Sequence, residues 1–149
     1  MSRTLIVKNR KAFHDYKILD RMEAGIVLQG TEVKAIREHR VNLKESYVKI
    51  LDGEAWLEGC HISPYSHGNI TNHEPTRIRK LLLNRREINK LAGAVTRSGL
   101  TVVPLSMYLR QGKVKVEIAL AQGKRTVDKR EKARRKTIDR EVETALKRR

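Results

Sequence analysis

The run KVKVEIALA at residues 113–121 constrains the fold of this chain more than any other stretch of its sequence. Its apolar side chains recur at every second position, at Val114, Val116, Ile118 and Leu120. The positions between them carry Lys113, Lys115, Glu117 and Ala119. A period of two is typical of a strand with one face in a core and the other in water. The sequence therefore predicts a sheet with one wet face.

Two short turns indicate that this sheet is built from hairpins. Gln111-Gly112 separates the apolar run LTVVPLSMYL from the alternating strand, and Asp52-Gly53 divides SYVKILDGEAWLEG in the same way. Such pairs favour tight connections between antiparallel strands. Pro104 cannot donate a ladder hydrogen bond, so we expect it at an edge or a bulge. The run AGIVLQG, residues 24–30, predicts a further short strand.

Three segments begin with residues that cap helices. Asn9 begins NRKAFHDYKIL, Thr31 begins TEVKAIREHR, and Asn84 begins NRREINKLAGAVTRSG. Their side chains can accept a hydrogen bond from the free N–H groups of a first turn, and Glu87 forms an approximate capping box with Asn84. Short antiparallel strands with inserted helices predict a mainly β protein, a small and partly open barrel with two to three packed helices.

Residues 123–149 differ sharply from the residues before them. They hold 12 Lys/Arg and 5 Asp/Glu, a net charge of +7 out of the total of +16, which leaves +9 for residues 1–122. Such a segment cannot bury enough apolar surface to offset its ordering entropy. We therefore divide the chain into a folded domain at 1–122 and a basic tail at 123–149 that needs a partner from outside.

The net charge of +16 favours a polyanionic partner, nucleic acid before an anionic membrane. The N-terminal apolar run Leu5-Ile6-Val7 is too short for a secretory signal, and we expect no membrane association. The single cysteine, Cys60, cannot form an internal disulfide, which favours a reducing compartment. We expect a cytoplasmic protein that acts as a monomer.

The segment CHISPYSHGNITNH raises the question of a metal site because it holds Cys60, His61, His67 and His73. The spacing matches none of the paired ligand sets of structural zinc. His14 and Asp15 are adjacent, so on a helix we expect them to point about 100° apart and not to act as an acid–base pair. The sequence also lacks a P-loop and a nucleophile elbow. We therefore expect no metal, no cofactor and no enzymatic activity.

A cationic cluster surrounds the apolar run at residues 81–83. Arg77, Arg79 and Lys80 precede the run, and Arg85-Arg86 follow it. If the run is the buried end of a strand, these side chains are brought together and can contact RNA phosphates. The alternative is a solvated charged rim. Because the chain has only one Trp, four Tyr and one Phe, we favour recognition of folded RNA by shape and backbone over stacking of single-stranded bases.

Seven motifs occur in order between residues 9 and 131, namely NRKAFHDY, AGIVLQGTEVKAIR, SYVKILDGEAWLEGCHISPY, NHEPTRIRKLLLNRREI, GLTVVPLSMYL, KVKVEIALAQGK and DKRE. Together they closely resemble the small protein B (SmpB) family, the tmRNA-binding proteins of bacterial trans-translation. The resemblance implies an oligonucleotide-binding-type antiparallel β-barrel with packed helices and a basic C-terminal tail. It also implies an adaptor that brings the tRNA-like domain of tmRNA to stalled ribosomes, with tmRNA, the ribosome and ribosomal RNA as partners.

The resemblance implies RNA contacts on the body by Asn9, Glu23, Leu82 and Lys115, which join Arg79 and Lys80 of the cationic cluster. Asn9 has the alternative role of a helix cap, and burial in the core is the simpler expectation for Leu82. A carboxylate is unusual on an RNA-binding face, but Glu23 can accept hydrogen bonds from base or ribose donors.

On the tail, the resemblance implies ribosome contacts by Gly123, Lys124, Arg125, Asp128, Lys129 and Arg130. Val127 departs from the family pattern, because relatives usually carry an aromatic residue or a histidine there. We expect the tail to be disordered in the free protein and helical on the ribosome. Four apolar residues would share one stripe of such a helix, namely Ile138, Val142, Ala145 and Leu146. A helix of this length is marginal alone.

A second hypothesis keeps the barrel but gives it a general role, as a nucleic-acid chaperone or translation factor with the tail as a nonspecific anchor. A nuclease or metal-dependent hydrolase ranks last, because the sequence offers neither a carboxylate cluster nor a ligand set. Binding of a tRNA-like RNA in competition with bulk tRNA at physiological salt separates the first two hypotheses, since any basic protein binds RNA at low salt.

Overall fold

A computed structural model describes residues 3–65 and 72–123. Within them the chain forms nine strands and three helices. The strands are β1 (Thr4–Lys8), β2 (Tyr16–Ile26), β3 (Val41–Asn42), β4 (Tyr47–Leu51), β5 (Glu54–Glu58), β6 (His61–Ile62), β7 (Arg79–Leu82), β8 (Thr101–Arg110) and β9 (Lys113–Gly123). The helices are α1 (Arg10–Asp15), α2 (Gly30–Arg37) and α3 (Arg85–Ser98).

The strands form a barrel because β9 pairs along both of its edges. The main sheet runs in the order β1-β8-β4-β5-β7-β2-β9, and β9 also pairs with β8, which turns the sheet back on itself. The closure is weak where β4 meets β8, at the residue pair Val48 and Val102. Strands β3 and β6 form a separate small sheet. The predicted antiparallel barrel of the oligonucleotide-binding type is confirmed, and it is partly open.

Both predicted hairpins are present. Asp52 and Gly53 have φ angles of 53° and 73°, and Gln111 and Gly112 have φ angles of 53° and 75°. Positive φ at both central residues is the turn geometry that matches the twist of antiparallel strands. The second turn fixes the register of β8 against β9, which places Tyr108 opposite Lys115.

The irregularity predicted at Pro104 is a bulge. The register of β8 against β9 shifts between Pro104 and Ser106. Val102 and Met107 are five residues apart, yet both pack into the main core inside the barrel. In an unbroken strand they would point to opposite faces, so the bulge allows β8 to fill the core along its whole length.

A second, smaller core lies on the outer side of β8 and β9. Ala12 of α1 packs there with Val103, Leu105, Ala119 and Ala121. The prediction that Ala119 faces water is therefore wrong, because α1 covers this end of the strand. Toward the turn, the predicted alternation is confirmed, with three residues buried and their neighbours accessible: Val114, Val116 and Ile118 against Lys113, Lys115 and Glu117.

Two of the three predicted helix caps are confirmed. The Asn9 side chain accepts the Ala12 N–H at 3.2 Å to begin α1. Asn84 and Glu87 form a reciprocal capping box at the start of α3. None of the helices in the described part of the chain is long and apolar enough to cross a membrane.

The segment around α2 differs from the prediction in two ways. The residue that caps α2 is Gln29 and not Thr31, because the Glu32 carboxylate reaches back to the Gln29 N–H at 2.7 Å. The strand expected at residues 24–30 instead begins at Tyr16 and ends at Ile26. The long strand β9 supplies partners from Tyr16 onward, so pairing overrides the local apolar pattern.

Candidate nucleic-acid interface

Glu23, Leu82 and Lys115 come from three strands and meet on the outer face of the barrel. Strand β2 lies between β7 and β9, and its residue Gly25 pairs with Leu82 on one side and with Lys115 on the other. Glu23 is two residues before Gly25, on the same face of β2. Leu82 is 52% exposed, so the expectation of core burial is wrong and the side chain offers an apolar surface to a ligand.

Gly25 allows these side chains to lie close together. A Cβ atom at this position would meet the Leu82 Cβ at 3.2 Å, which is too tight unless Leu82 shifts. Beside Leu82 a groove of about 350 Å³ opens, with Val33 in its wall and with Lys113 and Lys115 among its lining residues. Apolar walls flanked by cations suit a base or ribose edge with a phosphate beside it.

Two residues of β8 hold the Glu23 carboxylate. Arg110 Nη1 donates to Glu23 Oε2 at 2.8 Å, and the Tyr108 hydroxyl donates to the same carboxylate. Partial burial acts to raise the pKa of Glu23, but the hydrogen bonds from Tyr108 and Arg110 and the charges of Arg110 and Lys115 lower it below its ordinary value of 4.5. Glu23 is therefore an ionised acceptor at neutral pH, and 33% of its side chain is exposed.

The sequence prediction did not include Tyr108 or Arg110. Burial, followed by the neighbouring Glu23, raises the pKa of Tyr108, so its hydroxyl remains a donor. The Arg3 guanidinium lies 4.3 Å from the centre of the Tyr108 ring, a favourable cation–π distance. The signal that could have found both residues is the β8–β9 turn, because counting outward from it pairs Tyr108 with Lys115 and Arg110 with Lys113.

Asn9 is a structural residue and is buried. Its Nδ2 donates to the carbonyl oxygens of Pro104 at 2.9 Å and Leu43 at 3.2 Å. Its Oδ1 accepts the Ala12 N–H. Both amide hydrogens are therefore used inside the fold. The geometry supports the alternative of a helix cap, and we remove the Asn9 side chain from the predicted RNA contacts.

Arg79 has 0% exposed surface. Its Nε donates to Glu32 Oε2 at 2.6 Å, and its Nη atoms donate to the carbonyl oxygens of Cys60 at 2.8 Å and Pro75 at 3.0 Å. A guanidinium in this position cannot reach an RNA phosphate, so the burial corrects the prediction that Arg79 binds RNA. The reason is the alternation of β7, which points Arg79 inward and Lys80 outward.

The other residues of the cationic cluster also divide into those that face the interior and those that face solvent. Arg77 donates to Glu32 Oε1 at 2.6 Å and belongs to the inner network. Lys80 lies 2.9 Å from Glu54 Oε2 with 40% of its side chain exposed. Arg85 and Arg86 are exposed at the start of α3. Lys80 and Arg85 line one groove with Leu82, so the outward members of the cluster do extend the surface that carries Leu82.

Of the predicted ribosome-directed residues, Gly123 is the last residue of β9 and pairs with Tyr16. The folded domain thus includes Gly123, one residue more than the boundary drawn from composition. The other five, Lys124, Arg125, Asp128, Lys129 and Arg130, lie outside the described residues, as do Val127 and the predicted tail helix.

Cys60 is buried, and His73 and His14 have side-chain partners. Burial raises the pKa of the Cys60 thiol to about 12. The His73 ring joins the Ile62 carbonyl oxygen at 2.8 Å and the Thr31 hydroxyl at 2.9 Å. His67 lies outside the described residues. The expectation that the His14 and Asp15 side chains point apart is wrong, since His14 Nδ1 is 3.0 Å from Asp15 Oδ1 at the end of α1.

Comparison with known proteins gives one consistent result. The SsrA-binding protein of Syntrophobacter fumaroxidans is 56% identical over 145 residues, 97% of this chain and 90% of its own length. That of Enterococcus faecalis is 54% identical over 143 residues, covering 96% and 93%. A chain of the solved structure "tmRNA-SmpB: a journey to the center of the bacterial ribosome" matches with a TM-score of 0.67 and 47% identity, over 79% of this chain and 83% of that one. The family model described as SmpB protein matches residues 6–148, and this chain belongs to that family.

Proposed function

We propose that this chain is a tmRNA-binding adaptor of trans-translation, which brings the tRNA-like domain of tmRNA to stalled ribosomes. The observation that carries the proposal is the family match across residues 6–148, which spans the barrel and the tail. The relatives compared above are SsrA-binding proteins, and the structural neighbour is a tmRNA–SmpB structure. We assign the chain a binding role and no catalytic step.

In this proposal the outer face of the barrel reads folded RNA through three kinds of contact. Lys115 contacts a phosphate, Leu82 packs against a base edge or a ribose, and Glu23 accepts a hydrogen bond from a base amino group or a 2′-hydroxyl. The hydrogen bond from Arg110 orients the carboxylate. The cations set the affinity, whereas Glu23 and Leu82 reject an RNA surface that does not fit, because an unmatched carboxylate repels phosphates.

The tail supplies the second partner. We assign contacts with ribosomal RNA to Gly123, Lys124, Arg125, Asp128, Lys129 and Arg130. The net charge of +7 over residues 123–149 favours binding to phosphates by counterion release. Gly123 is held in β9 opposite Tyr16, so the tail leaves the barrel from a fixed point. Formation of a tail helix on the ribosome stays a prediction.

The test measures binding of the tRNA-like domain to the full chain against excess bulk tRNA at about 150 mM salt, where nonspecific attraction is weakened. We expect the tRNA-like domain to be retained. Equal binding of the two RNAs would favour a general nucleic-acid chaperone. A chain ending after Gly123 keeps β9 complete, and we expect it to bind the RNA but not to support peptide tagging on stalled ribosomes. If this shortened chain still supports tagging, the tail acts only as a nonspecific anchor.

A further inference from the structure

A groove on the outer face of the β4–β5 hairpin is distinct from the surface formed by Glu23, Leu82 and Lys115. It encloses about 240 Å³ and is lined by Lys49, Leu51, Trp56, Glu58 and Ile78. Leu51 and Ile78 are 50% and 52% exposed, and Trp56 is partly exposed. An indole and two exposed aliphatic side chains in one concave surface are typical of a binding site and not of scattered surface residues.

The pairing of β4 with β5 fixes the arrangement of the polar groups around this groove. Ala55 and Leu57 of β5 are fully buried, so Trp56 and Glu58 face outward. Trp56 is directly opposite Lys49 of β4. Opposite residues have Cβ atoms about 5 Å apart, and the next outward residue on a strand is roughly 7 Å away. A flat ring, a carboxylate and a cation therefore lie within the span of one nucleotide.

Glu58 carries an acceptor that the fold does not use. Its Oε2 atom is buried and accepts no hydrogen bond from the residues that the structure describes. Other outward glutamates are paired, Glu54 with Lys80 at 2.9 Å and Glu23 with Arg110 at 2.8 Å. A buried acceptor without a donor is destabilising. Glu58 lines the groove and is partly exposed as a residue, so rotation about its last side-chain bond can turn this oxygen toward a donor on a bound ligand.

We propose that this groove binds one unpaired nucleotide of the RNA held by the neighbouring face. Trp56 pairs with Lys80 of β7, and Lys80 is two residues before Leu82 on the same outward side. The groove is thus continuous with the proposed RNA-binding surface, and the identity of its occupant rests on that proposed function. The base stacks on Trp56, its amino group donates to Glu58, and its phosphate lies near Lys49.

The chemistry of Glu58 predicts which base the groove accepts. Cytosine presents an exocyclic amino donor, which a carboxylate accepts well. Uracil has a ring of the same size, but its N–H donor is flanked by two carbonyl oxygens that a carboxylate repels. Comparing cytidine with uridine RNA therefore isolates the contribution of Glu58 from that of stacking on Trp56.

The test uses the fluorescence of Trp56, which is the only tryptophan in the chain. The full chain is titrated with hexacytidylate or hexauridylate at about 150 mM salt. We expect the cytidine RNA to quench the emission with a Kd about tenfold lower than the uridine RNA, as one hydrogen bond to a charged group allows. Glu58→Gln should bring this ratio close to one, because an amide can pair with either base. The matched control Glu38→Gln, at an exposed glutamate just after α2, should leave the ratio unchanged.

Lack of quenching by hexacytidylate, or an unchanged ratio in Glu58→Gln, would overturn the groove proposal. A shift of the Trp56 emission on removal of residues 124–149 without RNA would also overturn it, since the occupant would then be the chain's own tail. Filter binding of the tRNA-like domain separates this proposal from the adaptor function. Retention of that domain without any quenching rejects the groove alone, whereas cytidine-dependent quenching without preference over bulk tRNA supports the groove and rejects the adaptor.

Discussion

Two glutamates of this molecule, Glu32 and Glu23, have similar neighbours but lie in different environments. Both accept hydrogen bonds from arginines, and for both these bonds outweigh the effect of burial and lower the pKa below 4.5. Their exposure differs, since 0% of the Glu32 side chain and 33% of the Glu23 side chain is accessible. The same residue pairing therefore occurs once in the core and once on the surface.

Remaining acceptor capacity separates a pair that is purely structural from a pair that can still take part in recognition. Glu32 accepts from Arg77, from Arg79 and from the Gln29 N–H. Its oxygens are committed to joining α2 with β7 and the segment before it. Glu23 accepts from Tyr108 and Arg110 but remains partly exposed to solvent, so it can still accept from an RNA donor.

The largest effect expected from this comparison is on stability. Glu32→Gln leaves the buried Arg79 without an anion and should lower the free energy of unfolding by about 3–5 kcal/mol. The matched change Glu23→Gln removes an exposed pair and should lower it by less than about 1 kcal/mol. Urea unfolding followed by circular dichroism at pH 7 measures both values.

Arg77→Gln provides an intermediate case if the Glu32 variant does not fold. The Arg77 side chain is 28% exposed and its loss leaves the Arg79–Glu32 pair in place. We expect a loss of stability between those of the two glutamate variants. Equal losses for Glu32→Gln and Glu23→Gln would contradict the distinction between the pairs.

Acid pH should lower the stability of the fold by protonating Glu32 and so weakening its pair with Arg79. Because the folded-state pKa of Glu32 lies below 4.5, its contribution to stability is present above the unfolded-state pKa and is lost as the pH falls through the folded value. The free energy of unfolding of the unmodified chain should therefore fall below about pH 4.5 more steeply than that of Glu32→Gln. Parallel pH profiles of the two proteins would show that Glu32 does not titrate as described.

Local signals in the sequence predicted much of this fold. The turn at Asp52-Gly53 and the capping box of Asn84 with Glu87 depend on neighbours within a few residues, so their outcome does not depend on the rest of the chain. The sequence did not predict the cap of α2 at Gln29. This cap depends on the Glu32 carboxylate, which accepts the Gln29 N–H but is also held by Arg79, 47 residues away.

The candidate site could be predicted only in part. The alternation of apolar and polar residues in β9 predicts that Lys115 faces outward, which agrees with the contact that the family resemblance implies. In the short strand β7 the sequence offers charged and apolar residues without a clear phase, so Arg79 and Lys80 could not be separated before pairing with β5 and β2 was known. Arg110 was missed because its partner Glu23 lies 87 residues away in the sequence.

At the exposed pair, replacing Glu23 should change the affinity for RNA more than it changes the free energy of unfolding. Glu23→Ala removes an acceptor for a base or ribose donor and should weaken binding of the tRNA-like domain by about 1–3 kcal/mol. Arg110→Ala should have a smaller effect in the same direction, because it frees the carboxylate without removing it. Filter binding at about 150 mM salt measures both. Wild-type affinity in Glu23→Ala would remove this residue from the interface.

The smallest expected effect separates a phosphate contact from an ordinary surface lysine. Lys115 pairs with Gly25 and Tyr108 at the centre of the proposed interface, so Lys115→Ala should reduce the slope of log affinity against log salt by about one unit. The exposed Lys44, between β3 and β4, gives the matched control, and Lys44→Ala should leave the slope unchanged. Affinities of both variants for the tRNA-like domain from about 50 to 300 mM salt provide the slopes. Equal slopes for the two variants would mean that Lys115 makes no phosphate contact beyond the general attraction of a surface lysine for RNA.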